Sequence, residues 1–275
     1  MPEIAEVETV KETLKKQILN KRIMNVEILY PKMIESDIKE FKQILVNNSF
    51  IDIKRIGKWL LFELNEHYLL SHLRMEGKFF IKRINEPIIK HEHLIFTFED
   101  KTDLRYHDTR KFGRMNLIKK HELSNVKAIA KQGIEPLSEK LTSTYLLKKF
   151  KNRKLSIKTL LMDQTIISGL GNIYVNEVLF AAKINPLKIG NEITLEECNK
   201  IIHSSKDIIA KAIQLGGTTI KSYTSSLGVT GKFQSELKVH KRENKECFVC
   251  GQIIKRIKIN GRSTYYCERC QSCQS

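Results

Sequence analysis

Apolar positions along the chain change their spacing twice. Between residues 3 and 18, Ile4, Val7, Val10, Leu14 and Ile18 return every three or four residues, the period of one helix face. Pro2 falls just before or at the first turn of that helix, where a missing N–H costs nothing. Glu3, Glu6 and Glu8 suit the positive end of its dipole. From about residue 22 to 118 the period shortens to two. RIMNVEILY, FIDIKRIG, KWLLFELN, YLLSHLR, KFFIKRI, HLIFTFED and LRYHD are short, alternating and rich in Ile, Phe and Tyr, with Glu-Asn, Glu-Asp and Gly between them. This predicts a run of antiparallel strands, most simply a β-sandwich. Helical spacing returns near residue 121. KQGIEPLSEK (131–140), with Gly133 and Pro136, reads as a domain boundary. Beyond it TSTYLLKKFKN, SIKTLLMDQTI, NIYVNEVLFAAK and LEECNKIIHSSKDIIAKAIQLG read as helices, with Gly169, Gly171, Pro186 and Gly190 in the turns. Residues 216–235 are rich in Gly, Ser and Thr, as in a ligand loop or a disordered one. The expected fold is α+β and multidomain, with divisions at 1–132, 137–235 and 236–275.

Composition narrows the class. The 275 residues are 41% hydrophobic, enough to fill a core, and 29% charged. No stretch approaches the roughly 18 uncharged apolar residues of a spanning helix. The start MPEIAEVE carries acids where a signal peptide carries basic charge. A cytoplasmic protein is expected. The formal charge is +17, which makes a polyanion the first candidate partner. Residues 1–140 hold 26 basic and 21 acidic residues, and the remainder 22 and 10. The C-terminal half is therefore the stronger electrostatic grip, unless the charge is merely a solvated surface.

Four of the six cysteines fall as Cys247-x2-Cys250 and Cys267-x2-Cys270, sixteen residues apart. This is zinc-ribbon spacing, with KRIKING and STYYC as the hairpin between the pairs. Four thiolates close the coordination sphere, so one structural Zn²⁺ is expected. Disulfides are disfavoured in a reducing compartment. Cys270-x2-Cys273 also fits the spacing, but Cys273 lies two residues from the end and is expected to be free. Cys198 is expected to be buried in a helix. A ribbon bearing Lys255, Arg256, Lys258 and Arg262 suits a nucleic-acid finger, and equally a structural staple.

Pro2 admits two readings. It can simply begin a helix. It can also be a reagent, because a small second residue permits removal of Met1 and so exposes a secondary amine. An α-amine titrates near 7.7–8.0, against about 10.4 for lysine. Attack on a sugar aldehyde carbon would give an iminium that stays cationic, an electron sink for elimination, with Glu3 placed to move protons.

Taken together, MPEIAEVET, RIGKWLLFEL, SHLRMEGKF, HDTRKFGRM, LLMDQTIISGLGNIYVNEVLF and the terminal CxxC-x16-CxxC resemble the bacterial formamidopyrimidine-DNA glycosylases, over Met1 to Gln271. The resemblance implies an N-terminal helix plus antiparallel β-sandwich, then a helix–two-turn–helix domain with a zinc-finger β-hairpin. It implies a monomer acting on double-stranded DNA with oxidised bases or abasic sites, bound in a cleft between the domains. Pro2 would be the nucleophile, Glu3 its acid/base partner and Glu6 a pocket-shaping group. Lys58 would serve β-elimination. On its own it would read as a snorkelling surface cation. Arg262 would serve δ-elimination or clamp phosphate, and a guanidinium suits the clamp better.

His91, Arg110, Lys154 and Asn172 match DNA-contact positions, with His72 and Lys158 as helpers. Met75, Arg110 and Phe112 match the residues that fill the gap left by an extruded nucleotide. By composition alone, Met75 and Phe112 would be core residues. The loop 216–226, Thr224 included, matches a lid over the flipped base. Ala5 stands where a proline is usual, and Arg74 where many members carry a small residue. Two other readings are an endonuclease VIII-like enzyme for oxidised pyrimidines and a non-catalytic zinc-containing DNA-binding protein.

Overall fold

The computed structural model describes residues 1–218 and 231–272, so most of the loop 216–226, with Thr224, and also Cys273 lie outside the described residues. The chain divides into two units. The first is Met1–Ala130 with the described ends of Gly216–Gly231, and the second is Lys131–Leu215 with Lys232 onward.

In the first unit, helix α1 spans Ile4–Ile18. Its apolar stripe, Val7, Val10, Leu14 and Ile18, enters the main core. Among its described residues eight strands follow: β1 (Ile23–Ile28), β2 (Asp52–Ile56), β3 (Trp59–Glu63), β4 (His67–His72), β5 (Lys78–Arg83), β6 (Glu92–Phe98), β7 (Thr102–His107) and β8 (Arg114–Lys119). They form two four-stranded antiparallel sheets, ordered β1-β6-β7-β5 and β2-β3-β4-β8. The α+β class and the antiparallel sandwich expected from the alternating pattern are what the chain forms.

The second sheet is buried on both faces. Leu60 and Phe62 point into the main core, while Trp59 and Leu61 join Leu70, Ile118 and Ile129 in a smaller cluster. That is why KWLLFEL reads as a continuous apolar run and not as an alternation. Helix α1 packs on β2 and β3.

The strand run is interrupted by α2 (Ile38–Leu45), which the period-two reading passed over. Its signals are local. Asp37 caps the Glu40 N–H at 2.8 Å, and Phe41 and Leu45 are the buried pair at helical spacing. The short α3 (Lys127–Ala130) ends the unit.

The second unit holds α4 (Ser143–Phe150), α5 (Ile157–Leu161), α6 (Asn172–Ala181) and α7 (Leu195–Gln214). Strands β9 (Lys255–Ile259) and β10 (Arg262–Tyr266) make the terminal hairpin. Helix α6 is apolar on nearly every side, as a central helix must be. Its Phe180 shares a core with Val239, Ile254, Tyr265 and two of the cysteines. The hairpin is thus welded to the helices around it.

Candidate active site

At the N-terminus the chain spends one carboxylate on organising two others of its parts. Glu6 Oε2 accepts the backbone N–H of Glu3 at 2.9 Å. Its Oε1 accepts both the backbone N–H and the hydroxyl of Thr218, at 2.7 and 2.9 Å. Gly217 crosses this carboxylate with φ +76°, and a Cβ there would stand 2.7 Å from Glu6 Oε1. Only glycine combines that backbone with that clearance. Glu6 therefore ties the turn carrying Pro2 and Glu3 to the root of the 216–226 loop. Glu3 itself is buried.

Lys58 follows Gly57 in the β2–β3 turn and is 5% exposed. A lysine so covered is not the snorkelling surface residue that its sequence neighbourhood alone suggested. His72 pairs with Trp59 across β3 and β4 and stands edge-on to the indole at 4.7 Å. Its Nδ1 accepts the Arg74 N–H at 2.9 Å. Burial, then the charges of Arg74 and Lys58, push its pKa down to about 3, so the ring is neutral at ordinary pH.

Met75 and Phe112 are 37% and 47% exposed, against the core reading that composition favours. Each sits on a loop beside a buried glycine. A Cβ at Gly77 would lie 2.1 Å from the Tyr106 hydroxyl, and one at Gly113 would lie 1.8 Å from it. The buried Tyr106 ring therefore fills the space that both glycines leave, and so packs the two loops against one support. Thr109 also donates to Glu76, joining the loops directly. Asp108 shapes the second loop from below. Its carboxylate accepts the N–H groups of Arg110, Phe112 and Gly113 at 3.0, 2.9 and 2.8 Å. The Arg110 guanidinium lies 4.7 Å from the Phe112 ring centroid. His91 has φ +74° and meets the His93 and His107 rings edge-on. Sequence reasoning missed Asp108 and Tyr106. The only signal for Asp108 was its place in HDTRKFG.

In the second unit Lys154 is exposed. Lys158 is not: it is 1% exposed, and its Nζ donates to Asn176 Oδ1 at 2.8 Å and to the Ser263 carbonyl at 3.1 Å. Asn172 opens α6 and donates to the same carbonyl at 3.0 Å. Arg262 begins β10 immediately after the turn residues Asn260 (φ +45°) and Gly261 (φ +72°). It borders a pocket of 280 Å³ together with Lys158, Thr159, Met162, Asp163, Ile259 and Asn260. Glu177 turns the chain toward the finger, its carboxylate accepting the N–H groups of Lys238, Val239 and His240.

The thiols of Cys247, Cys250, Cys267 and Cys270 gather within 4.8 Å of one another. Two of the sulfur pairs are 3.9 and 3.4 Å apart. Zn–S bonds of about 2.3 Å in a tetrahedron require sulfurs roughly 3.8 Å apart, so the donors fit one zinc ion. The register is Cys267 with Cys270. Cys198 is buried in α7, and burial raises its thiol to about 11, which leaves it inert. Among the described residues no helix is long and apolar enough to cross a membrane.

An antiparallel sandwich led by a short helix, joined in sequence to a helical unit with a four-thiol finger and a basic hairpin, defines a nucleic-acid-processing class. Comparison with known proteins narrows it. Residues 1–115 match the formamidopyrimidine-DNA glycosylase N-terminal domain, 132–224 its H2TH domain, and 244–272 the zinc finger found in FPG and IleRS. A formamidopyrimidine-DNA glycosylase of Listeria monocytogenes is 42% identical over 98% of this chain and all of its own. One of Bacillus cereus is 41% identical over 98% of this chain and 99% of its own. The Lactococcus lactis Fpg in complex with abasic-site DNA superposes with a TM-score of 0.93, at 38% identity over 98% and 99% of the two chains. The wild-type enzyme with an N7-benzyl-Fapy-dG DNA gives 0.93 at 39% identity, over 98% and 100%. The chain belongs to the formamidopyrimidine-DNA glycosylase family.

Proposed function

We propose that this protein is a monomeric, bifunctional DNA repair enzyme of the cytoplasm that excises oxidised purines, 8-oxoguanine and formamidopyrimidines, from duplex DNA and then cuts the abasic strand. The observation that carries the reading is the N-terminal turn. Pro2 precedes a buried Glu3 whose backbone is pinned by Glu6. Once Met1 is removed, a secondary amine stands at the start of a helix beside a carboxyl group.

The chemistry then follows from bond accounting. The Pro2 nitrogen attacks C1′, the bond from C1′ to the base breaks, and the base leaves with the electron pair and takes a proton. Opening of the C1′–O4′ bond gives the iminium, with Glu3 exchanging the protons at O4′ and nitrogen. Loss of the C2′ proton breaks the C3′–O bond, which is β-elimination. Loss of the C4′ proton breaks the C5′–O bond, which is δ-elimination. Each phosphate leaves with its pair, and water hydrolyses the iminium to free the amine. Lys58 serves the β step, and Arg262 holds the phosphate that leaves in the δ step. Met75, Phe112 and Arg110 occupy the gap opposite the orphaned base. His91, His72, Lys154 and Asn172 take backbone phosphates, which position the duplex without reading its sequence. Lys58, Glu3 and the cradle of Glu6 make this an enzyme rather than a binding protein. The zinc held by the four cysteines would cross-link the hairpin base and take no part in the reaction.

The test is borohydride trapping on a duplex with one 8-oxoguanine opposite cytosine, with mass spectrometry of the N-terminus. A covalent adduct on Pro2 is expected, and protein that retains Met1, whose amide caps the Pro2 nitrogen, does not form it. A verified free Pro2 that binds the duplex tightly yet yields no adduct would overturn the reading for oxidised purines. An adduct formed only with an oxidised pyrimidine would move the enzyme to the endonuclease VIII-like class.

A further inference from the structure

The reading of Arg262 leaves open what holds it. Arg262 is exposed at the end of a two-residue turn, between Asn260 and Gly261 on one side and Ser263 on the other. Both turn residues have positive φ, the geometry of a tight hairpin tip that by itself fixes only the local bend. The next residue is where the tip is tied down. The Ser263 carbonyl accepts from two side chains at once, Asn172 Nδ2 at 3.0 Å and Lys158 Nζ at 3.1 Å. Arg256 Nη2 holds the Ser263 hydroxyl at 3.2 Å.

The Lys158 amine that bonds this carbonyl is also held by a second partner. That partner is Asn176, one turn along α6 from Asn172 and itself buried. Its Oδ1 accepts from Lys158 Nζ at 2.8 Å, and its Nδ2 meets His240 Nδ1 at 2.8 Å. Burial, then Lys241 and Lys158, push His240 down to about 4, so its ring is neutral and Nδ1 is free to accept from the amide. The amide therefore has one orientation, oxygen to Lys158 and nitrogen to His240. A chain of His240, Asn176 and Lys158, with Asn172 beside it, thus ends on one backbone oxygen next to Arg262, which Lys158 and Asn172 bond directly.

We propose that Asn176 is a positioning residue for Arg262: by orienting Lys158 on the Ser263 carbonyl it holds the hairpin tip where the guanidinium meets the phosphate that leaves in δ-elimination. Lys158 in this account acts through the hairpin and does not itself touch DNA. The proposal rests on the assignment of Arg262 to the δ step, and it separates from it experimentally.

The assay uses the full-length zinc-loaded protein on a duplex with a preformed abasic site, resolving β- and δ-elimination products by size. Arg262→Ala is the reference and lowers the δ:β ratio. Asn176→Leu and Asn176→Ala, which differ in bulk but lose the same oxygen, are each expected to lower the ratio about tenfold while the β step stays within about twofold, the size of one lost buried hydrogen bond to a lysine. Asn176→Asp keeps an oxygen for Lys158 and restores the ratio. Adding Asn176→Leu to Arg262→Ala lowers it no further, because the two act through one group. Zinc content and thermal melting establish that each variant is folded.

A normal ratio in whichever of the Leu and Ala variants retains zinc overturns the proposal. So does an additive loss in the double variant, and so does a folded Asp variant as poor as the Leu variant. If Arg262→Ala itself leaves the ratio unchanged, the assignment of Arg262 falls, and the proposal with it. If only the Asn176 variants leave it unchanged, the assignment stands and the proposal alone fails.

Discussion

The loops bearing Met75 and Phe112 and the hairpin bearing Arg262 pose the same mechanical problem, an exposed side chain on a short turn, and solve it by different physics. The first pair is held by space and by backbone bonds. Tyr106 occupies the volume that Gly77 and Gly113 give up, and one carboxylate, Asp108, collects three N–H groups. The hairpin is held by four thiols at its base and by a buried polar network at its tip. A sandwich can supply rigid packing directly under a loop. A two-stranded ribbon is marginal by itself, so beyond the small core it shares with Phe180 and Val239 it needs a metal and borrowed hydrogen bonds. The first design should be indifferent to chelation and intolerant of a single added methyl, and the second should depend on the metal.

The largest expected break of this symmetry is removal of zinc. Four-thiolate sites contribute on the order of 10 kcal/mol to the fold they close. Cys267→Ala, or stripping by a strong chelator, is expected to abolish the melting transition of the helical unit. The sandwich should keep its own transition, followed by the single tryptophan, Trp59, which sits in it. Loss of both transitions together would show that the finger supports the whole chain, and the contrast would fail.

The opposite perturbation is smaller. In Gly113→Ala the new methyl meets the Tyr106 hydroxyl at 1.8 Å, and a buried ring cannot move without its neighbours. Overpacking of this kind costs about 1–3 kcal/mol. The Trp59 transition should fall accordingly, while zinc content and the helical transition stay unchanged. Gly77→Ala should behave alike, since the same hydroxyl blocks it at 2.1 Å. An alanine accepted at both sites without loss would mean that the loops are not braced by Tyr106.

How much of this could be read before the fold was known follows the range of each interaction. Helix α1, predicted for 3–18 and found at Ile4–Ile18, is a local period. The four cysteines announce themselves by spacing, and the sandwich by alternation. Helix α2 was lost because eight residues inside a strand-rich stretch make a weak window. SIKTLLMDQTI looked like one helix but stops at Leu161, where the Gln164 side chain takes over the bonding: its Nε2 donates to the Met162 and Leu170 carbonyls and its Oε1 accepts the Gly169 N–H. Lys158 was expected as a DNA-contact helper, and its burial could not be read, since nothing local marks a lysine as buried. Asn176 and His240 are 64 positions apart and meet only in the fold. Tyr106 looked like one more strand aromatic, and its meeting with two glycines depends on sheet register. Pairings of that kind carry the support of both exposed turns, and no period encodes them.

The smallest effect separates the two supports by pH. An unfolded histidine takes up its proton near pH 6.5, whereas burial keeps His240 neutral down to about 4. Between these values the unfolded chain binds more protons than the folded one, so stability is complete above about pH 6.5 and falls as the pH drops toward 4. The slope is at most about 1.4 kcal/mol per pH unit. Other groups contribute as well. His72 in the sandwich has the same sign. Glu177, raised by burial, has the opposite sign, because the fold takes up its proton first. These terms are common to the wild type and to His240→Gln, and cancel when the two are compared. The helical transition of the wild type should therefore lose about 1 kcal/mol relative to the variant between pH 7 and 5.5, while the Trp59 transition shows no difference between them. Equal slopes for the helical transition in both proteins would mean that His240 is protonated in the fold. Its Nδ1 could not then accept from Asn176, and the tip of the hairpin would have to be held by the Ser263 contacts of Asn172 and Arg256 alone.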